Sequence, residues 1–218
     1  CAFLLFEEMI FYYTKTMSTR LSNFGFWSGN FSLLRAYLIE ILNELINAIY
    51  YVDYPQDEIT NATFKARIYK ILKEFEGIVY EVMNDTPDNP SAAGKDDYID
   101  ILLTASLCET GDSFTDIHGI YKCSSLNQLM ATIHAMIEKA TEEVELQNGT
   151  FDGEELTNIY HIIFAHTISS FLAVGNRFSS LQDEEIRGYK IDIFVFLICG
   201  IFFVLIWSSL VIYIISEF

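Results

Sequence analysis

The sequence predicts an all-α protein: an antiparallel helical bundle that continues into a single C-terminal transmembrane helix. Three observations carry this. Apolar residues recur at three- and four-residue steps through most of the chain. Only 3 prolines interrupt 218 residues, which leaves room for long helices. The 24 residues Ile193–Ser216 contain no charged side chain.

Taken in order, residues 3–22 read as a first helix with an apolar start (Phe3, Leu4, Phe6, Ile10, Tyr13). Its start fits either the emerging end of an earlier membrane helix or a buried amphipathic helix. Gly25 and Ser28-Gly29 are expected to break the chain. A second helix then spans 31–53 on the stripe Leu34, Leu38, Ile41, Leu45 and Ile49, and Tyr54-Pro55 ends it. Thr60 or Asn61 caps a third helix with the stripe Phe64, Ile68, Ile71, Phe75, Ile78 and Val82. Residues 84–96, with two prolines and a glycine, form a loop.

A short helix over 98–107 leads to a polar loop between Cys108 and Cys123. The next helix, 124–146, turns Leu126, Met130, Ile133, Ile137, Ala140 and Val144 inward. The last begins near Asp152 with the stripe Leu156, Ile159, Ile163, Thr167, Ser170, Val174, Phe178 and Leu181. No proline separates it from the apolar run, so one continuous rod is expected, with Gly175 and Gly188 as its weak points. Short loops between such helices favour antiparallel packing. The expected division is a helical domain over 1–187 and a transmembrane helix over 188–218.

At 1.5 Å per residue the Ile193–Ser216 run reaches about 36 Å, against a hydrocarbon core of about 30 Å. It therefore spans a bilayer with some tilt. Trp207 and Tyr213 supply only part of an aromatic belt. Nearly all of the net charge of −17 lies upstream of the run. A surface that acidic repels nucleic acid and anionic headgroups, so nucleic acid is excluded as a partner. The expected partners are the lipid bilayer, other membrane or surface proteins, and N-linked glycans.

The glycans follow from four Asn-x-Ser/Thr sequons at Asn30, Asn61, Asn84 and Asn148, which are modified only in the secretory lumen. Asn61 and Asn148 fall at expected helix ends, whereas Pro87 follows the Thr of the Asn84 sequon. Cys108 and Cys123 agree with that compartment. A disulfide between them closes a short loop and contributes roughly 3 kcal/mol by restricting the unfolded chain. The bulk of the chain is thus expected on the extracellular or luminal side. The chain starts at Cys1, and no signal peptide is visible because Glu7 and Glu8 interrupt the apolar start. A piece of a longer protein is expected.

No catalytic, cofactor or metal site is expected. The chain contains no G-x-G-x-x-G, P-loop, G-x-S-x-G or H-E-x-x-H. His161 and His166 are five apart, which places them on different faces of an α-helix. The acidic loop with Asp85, Asp88, Asp96, Asp97 and Asp100 lacks EF-hand spacing and reads as solvated charge. Glu154-Glu155 complement a helix N-terminus.

The stretch Asn158-Ile159-Tyr160-His161-Ile162-Ile163-Phe164, the run on to Glu184-Glu185, and the span with Ile206-Trp207 form a recognisable set. It resembles the membrane-proximal part of large multi-pass protist proteins of the tiny macrocyst type. The resemblance covers roughly the last quarter of the chain, is compositional, and transfers no functional residue. It implies several membrane helices, an outward helical region and a cytoplasmic sensory or PAS-like portion.

Two functions fit. One is a non-catalytic, receptor-like or sensory ectodomain that binds a ligand or partner through its bundle, at a plasma or ciliary membrane. The other is a structural subunit of a surface or ciliary membrane assembly, suggested by 13 Tyr and 18 Phe.

Overall fold

The structure, a computed structural model, describes residues 2–53, 61–87, 89–105, 117–146 and 153–217. Every regular element among them is helical: α1 (Ala2–Asp53), α2 (Asn61–Met83), α3 (Asp97–Thr104), α4 (Ile117–Cys123), α5 (Leu126–Leu146), α6 (Gly153–His161), a π-turn (Ile162–Thr167) and α7 (Ile168–Glu217).

The first departure from expectation is α1. It is one helix of 52 residues and passes through Gly25, Ser28 and Gly29 without a break. Each glycine costs about 1 kcal/mol relative to alanine. Against that, Trp27, Phe31, Leu34, Leu38, Ile41, Leu45 and Ala48 alternate four- and three-residue steps and are all buried. Each large side chain among them contributes roughly 1.5–3 kcal/mol. Burial therefore outweighs the local preference.

The chain divides into two compact units, Gly25–Phe178 and the pair Cys1–Phe24 with Ser179–Phe218. The first 24 residues thus group with the C-terminal helix and not with the bundle.

In the Gly25–Phe178 unit, α1 and α2 run antiparallel, with Glu44 and Arg67 3.9 Å apart and Tyr37 bonded to Glu74. On α2 the buried residues are Phe64, Ile68, Ile71, Leu72, Phe75 and Val82, the expected stripe apart from half-exposed Ile78. Helix α5 packs against α2, α3, α6 and the π-turn, and buries Leu126, Met130, Ile133, Ile137 and Ala140 as expected.

Helical backbone continues from Gly153 to Glu217, through Gly175 and Gly188. The π-turn marks a second departure. The Thr167 hydroxyl donates to the Ile162 carbonyl, five residues back, at 2.9 Å. Beyond it the inward face is Thr167, Phe171, Val174 and Phe178: Phe171 is buried where the sequence pattern predicts Ser170, and Ser170 bonds back to the His166 carbonyl. From Leu156 to Glu217 the helix is long and apolar enough to cross a bilayer, and its most apolar stretch is 0% buried.

In the other unit, α1 and α7 also run antiparallel. Phe6 meets Phe196, Tyr13 stacks on Tyr189, and Arg20 reaches Glu185 at 3.3 Å.

Candidate functional site

A set of specific contacts on α7 lies inside the Gly25–Phe178 unit. Phe171 and Phe178 of α7 meet Phe31 of α1, with ring centroids 5.9 and 6.1 Å apart. Trp27 lies 5.0 Å from Phe178. The indole of Trp27 cannot be buried without a partner for its N–H. It donates to the Pro90 carbonyl at 2.9 Å, and Lys95 stands 6.0 Å over its ring.

That bond ties the 84–96 loop to the cluster, and the loop in turn fastens itself. Ser91 N–H donates to Asp85 at 2.7 Å, the Ser91 hydroxyl donates to the Met83 carbonyl at 3.0 Å, and Gly94 N–H donates to Asp100 at 2.7 Å. Gly94 has φ +75°, a left-handed conformation that favours glycine. Asp85 and Asp100, expected as solvated charge, therefore satisfy backbone N–H groups that no helix or strand would pair.

Asp96 has two tasks. It caps α3 by accepting from Ile99 N–H at 3.2 Å, and it accepts from Arg177 of α7 at 2.7 and 3.1 Å. The Arg177 guanidinium beside it, helped by the backbone bond, holds its carboxyl below the usual carboxylate range against the opposing effect of burial. Arg177 thereby clamps α7 to the loop. Sequence alone gives no role to Trp27 or Arg177, and it places Asp96 among solvated loop charges, whereas the structure makes it a cap and an ion-pair partner. The available signals were an Asp three residues before Ile99 at a helix start and a lone cation between the core positions Val174 and Phe178.

A second polar group joins α2 to α5. His134 Nε2 lies 2.5 Å from Glu76 and its Nδ1 lies 3.6 Å from Glu138. His134 and Glu76 flank a shallow groove with Phe75, Tyr80, Met83 and Met130. Around the π-turn, the His166 ring meets Tyr121 edge-on at 6.0 Å. Burial pushes the Tyr121 phenol up. The i→i+5 turn brings His161 and His166 closer in angle than an α-turn would, but no three metal-ligating side chains converge among the described residues.

The expected modification sites fall in different settings. Asn84 is exposed at the end of α2, its amide donating to the Tyr80 carbonyl at 2.9 Å. Asn30 lies in mid-α1 with its Nδ2, the atom that would carry a sugar, enclosed by protein and without a hydrogen-bond partner. Asn61 opens α2, and its side chain lies outside the described residues, as does all of Asn148. Cys123 ends α4 and is buried, while Cys199 is free. Cys108 lies outside the described residues, so no bond between Cys108 and Cys123 is described.

No family model, curated protein or solved structure matches the chain.

Proposed function

We propose that the chain is a non-catalytic, membrane-anchored ectodomain of receptor-like or sensory type. The observation that carries this is the double use of α7. The helix that supplies Ile193–Ser216 also supplies Phe171, Val174 and Phe178 to the bundle core and Arg177 to the clamp on Asp96. A ligand or partner that repacks the bundle would then bias the axial position or rotation of the membrane helix.

The bulk of the chain is proposed to lie outside the cytosol. Support comes from exposed Asn84 and from the Asn61 and Asn148 sequons. Endoglycosidase treatment of the protein from its own membranes should lower its apparent mass, and an unchanged mass would argue for the opposite orientation. Pairing of Cys108 with Cys123 belongs to the same proposal and is checked by peptide mapping without reduction.

The signalling reading is tested with a reporter kinase fused after Phe218. Val174→Pro removes a helix hydrogen bond and kinks α7, whereas Val174→Ala trims packing but keeps the helix. With both variants at the surface, the proline variant should lose regulated output and the alanine variant should retain it. Equal regulated output from both would reject the coupling role.

A second reading, a structural subunit of a surface or ciliary assembly, is favoured by one specific observation. Tyr160 and Phe164 are stacked at 4.6 Å yet exposed, and Leu172 continues their face. Extraction in mild detergent distinguishes the two readings, since an obligate assembly would not yield monomer.

A further inference from the structure

In the unit formed by Cys1–Phe24 and Ser179–Phe218, three levels set the register of α1 against α7. At the first, the Phe6 and Phe196 rings lie 6.4 Å apart, and a Cβ on Gly200 would stand 3.8 Å from the Phe6 ring. At the second, Tyr13 stacks on Tyr189 at 5.9 Å and its hydroxyl donates to Asp192. At the third, Arg20 pairs with Glu185. Tyr13 thus sits at the edge of the charge-free run that starts at Ile193, and the residues before it lie alongside that run.

The side chains in this part of α1 suit such a place. Met9, Phe11 and Tyr12 are exposed, the last two by 71% and 73%. In water, three neighbouring large apolar residues on an acidic helix would be an unfavourable surface. Tyr12, Tyr13 and Tyr189 gather at one level, where rings with polar tips favour the boundary between hydrocarbon and water. Lys190 and Asp192 stand at that level, and beyond it come Lys15, Arg20, Glu185 and Arg187. Between the two helices, Phe6, Ile10, Ile193, Phe196 and Val204 line an apolar groove of about 850 Å³, open enough to seat a lipid chain.

The geometry points to a lipid-embedded surface on the first turns of α1, up to Phe11, with bilayer acyl chains as the partner of Met9 and Phe11. Helices α1 and α7 enter the bilayer together, and α7 is not a lone span. This rests on the reading of Ile193–Ser216 as a membrane segment. Glu7 and Glu8 are the features that oppose it. Both stand level with the run's first turns, short of the bilayer interior, and each carboxylate extends toward the headgroups.

The test uses the full chain in phosphatidylcholine vesicles, with an environment-sensitive fluorescent amino acid placed singly at Phe11, Ser18 or Ile212. All three side chains are exposed, so the fold tolerates the change, and unchanged helicity by circular dichroism verifies it. At Phe11 the emission should be blue-shifted and protected from aqueous iodide as at Ile212, with quenching several-fold weaker than at Ser18. Quenching at Phe11 equal to that at Ser18, with Ile212 still protected, would overturn this inference and leave the span intact. Quenching at Ile212 as well would overturn the span and this inference together.

Discussion

The Gly25–Phe178 bundle and the Ile193–Ser216 run draw on the same large apolar residues and use them in opposite senses. In the bundle, Phe31, Phe75, Phe171 and Phe178 are no more than 2% exposed. In the run, Phe194 is 63% exposed and Ile206 66%. Hydrophobicity of a residue therefore does not say which way it faces. What separates the regions is the polar face. Each bundle helix carries one, so its apolar stripe has a single side to bury, while the run has none and presents apolar surface all round.

This contrast is broken most directly by removing one aromatic from each region. Phe178→Ala should destabilise the bundle by about 3–5 kcal/mol, through lost burial and the cavity left behind. Phe194→Ala, which empties no cavity, should shift denaturant unfolding in detergent little. Similar losses from the two would mean that the run is packed like a core.

Next in size is a charge placed on each outward surface. Ile206→Asp should cost about 3 kcal/mol for bilayer insertion, seen as protein lost from carbonate-washed membranes. Ile101→Asp, in a bundle residue that is 52% exposed, should leave membrane retention unchanged and stability within about 0.5 kcal/mol. Full retention of the Ile206 variant would contradict a span.

The clamp sharpens the comparison, because it is a specific polar tie from α7 to the bundle. Asp96→Ala removes both the α3 cap and the Arg177 pair, and should cost about 1–2 kcal/mol. Asp96→Asn keeps a capping oxygen and should lose less. Because the folded carboxyl titrates below its unfolded value, its contribution is complete above about pH 4 and is lost as pH falls through the lowered value. The Asp96→Asn variant should therefore show a shallower loss of stability on acidification than the parent.

The smallest effect concerns α1. Gly25→Ala and Gly29→Ala should each stabilise by about 0.5–1 kcal/mol, since an added Cβ at either position meets no atom within 4 Å. A loss of stability would mean that these glycines are needed for something other than local conformation.

Residue order alone was enough for the helical class, the inward faces of α2 and α5, and the long apolar run. Each depends on local periodicity, and periodicity is a property of the chain alone. It determined the continuity of the rod from Gly153 onward for the same reason, since nothing in the chain interrupts it. Tertiary structure decided the rest. Gly25 and Gly29 read as breaks because local preference is small and visible, whereas the burial of Trp27, Phe31 and Leu34 that overrides it depends on partners far along the chain. The burial of Phe171 in place of Ser170 was settled by its ring contact with Phe31 of α1, a partner far along the chain. Asp96 and Arg177 met only because folding brought residues 81 apart within hydrogen-bond distance. The grouping of residues before Gly25 with the C-terminal helix likewise depended on an antiparallel register, which no single segment encodes.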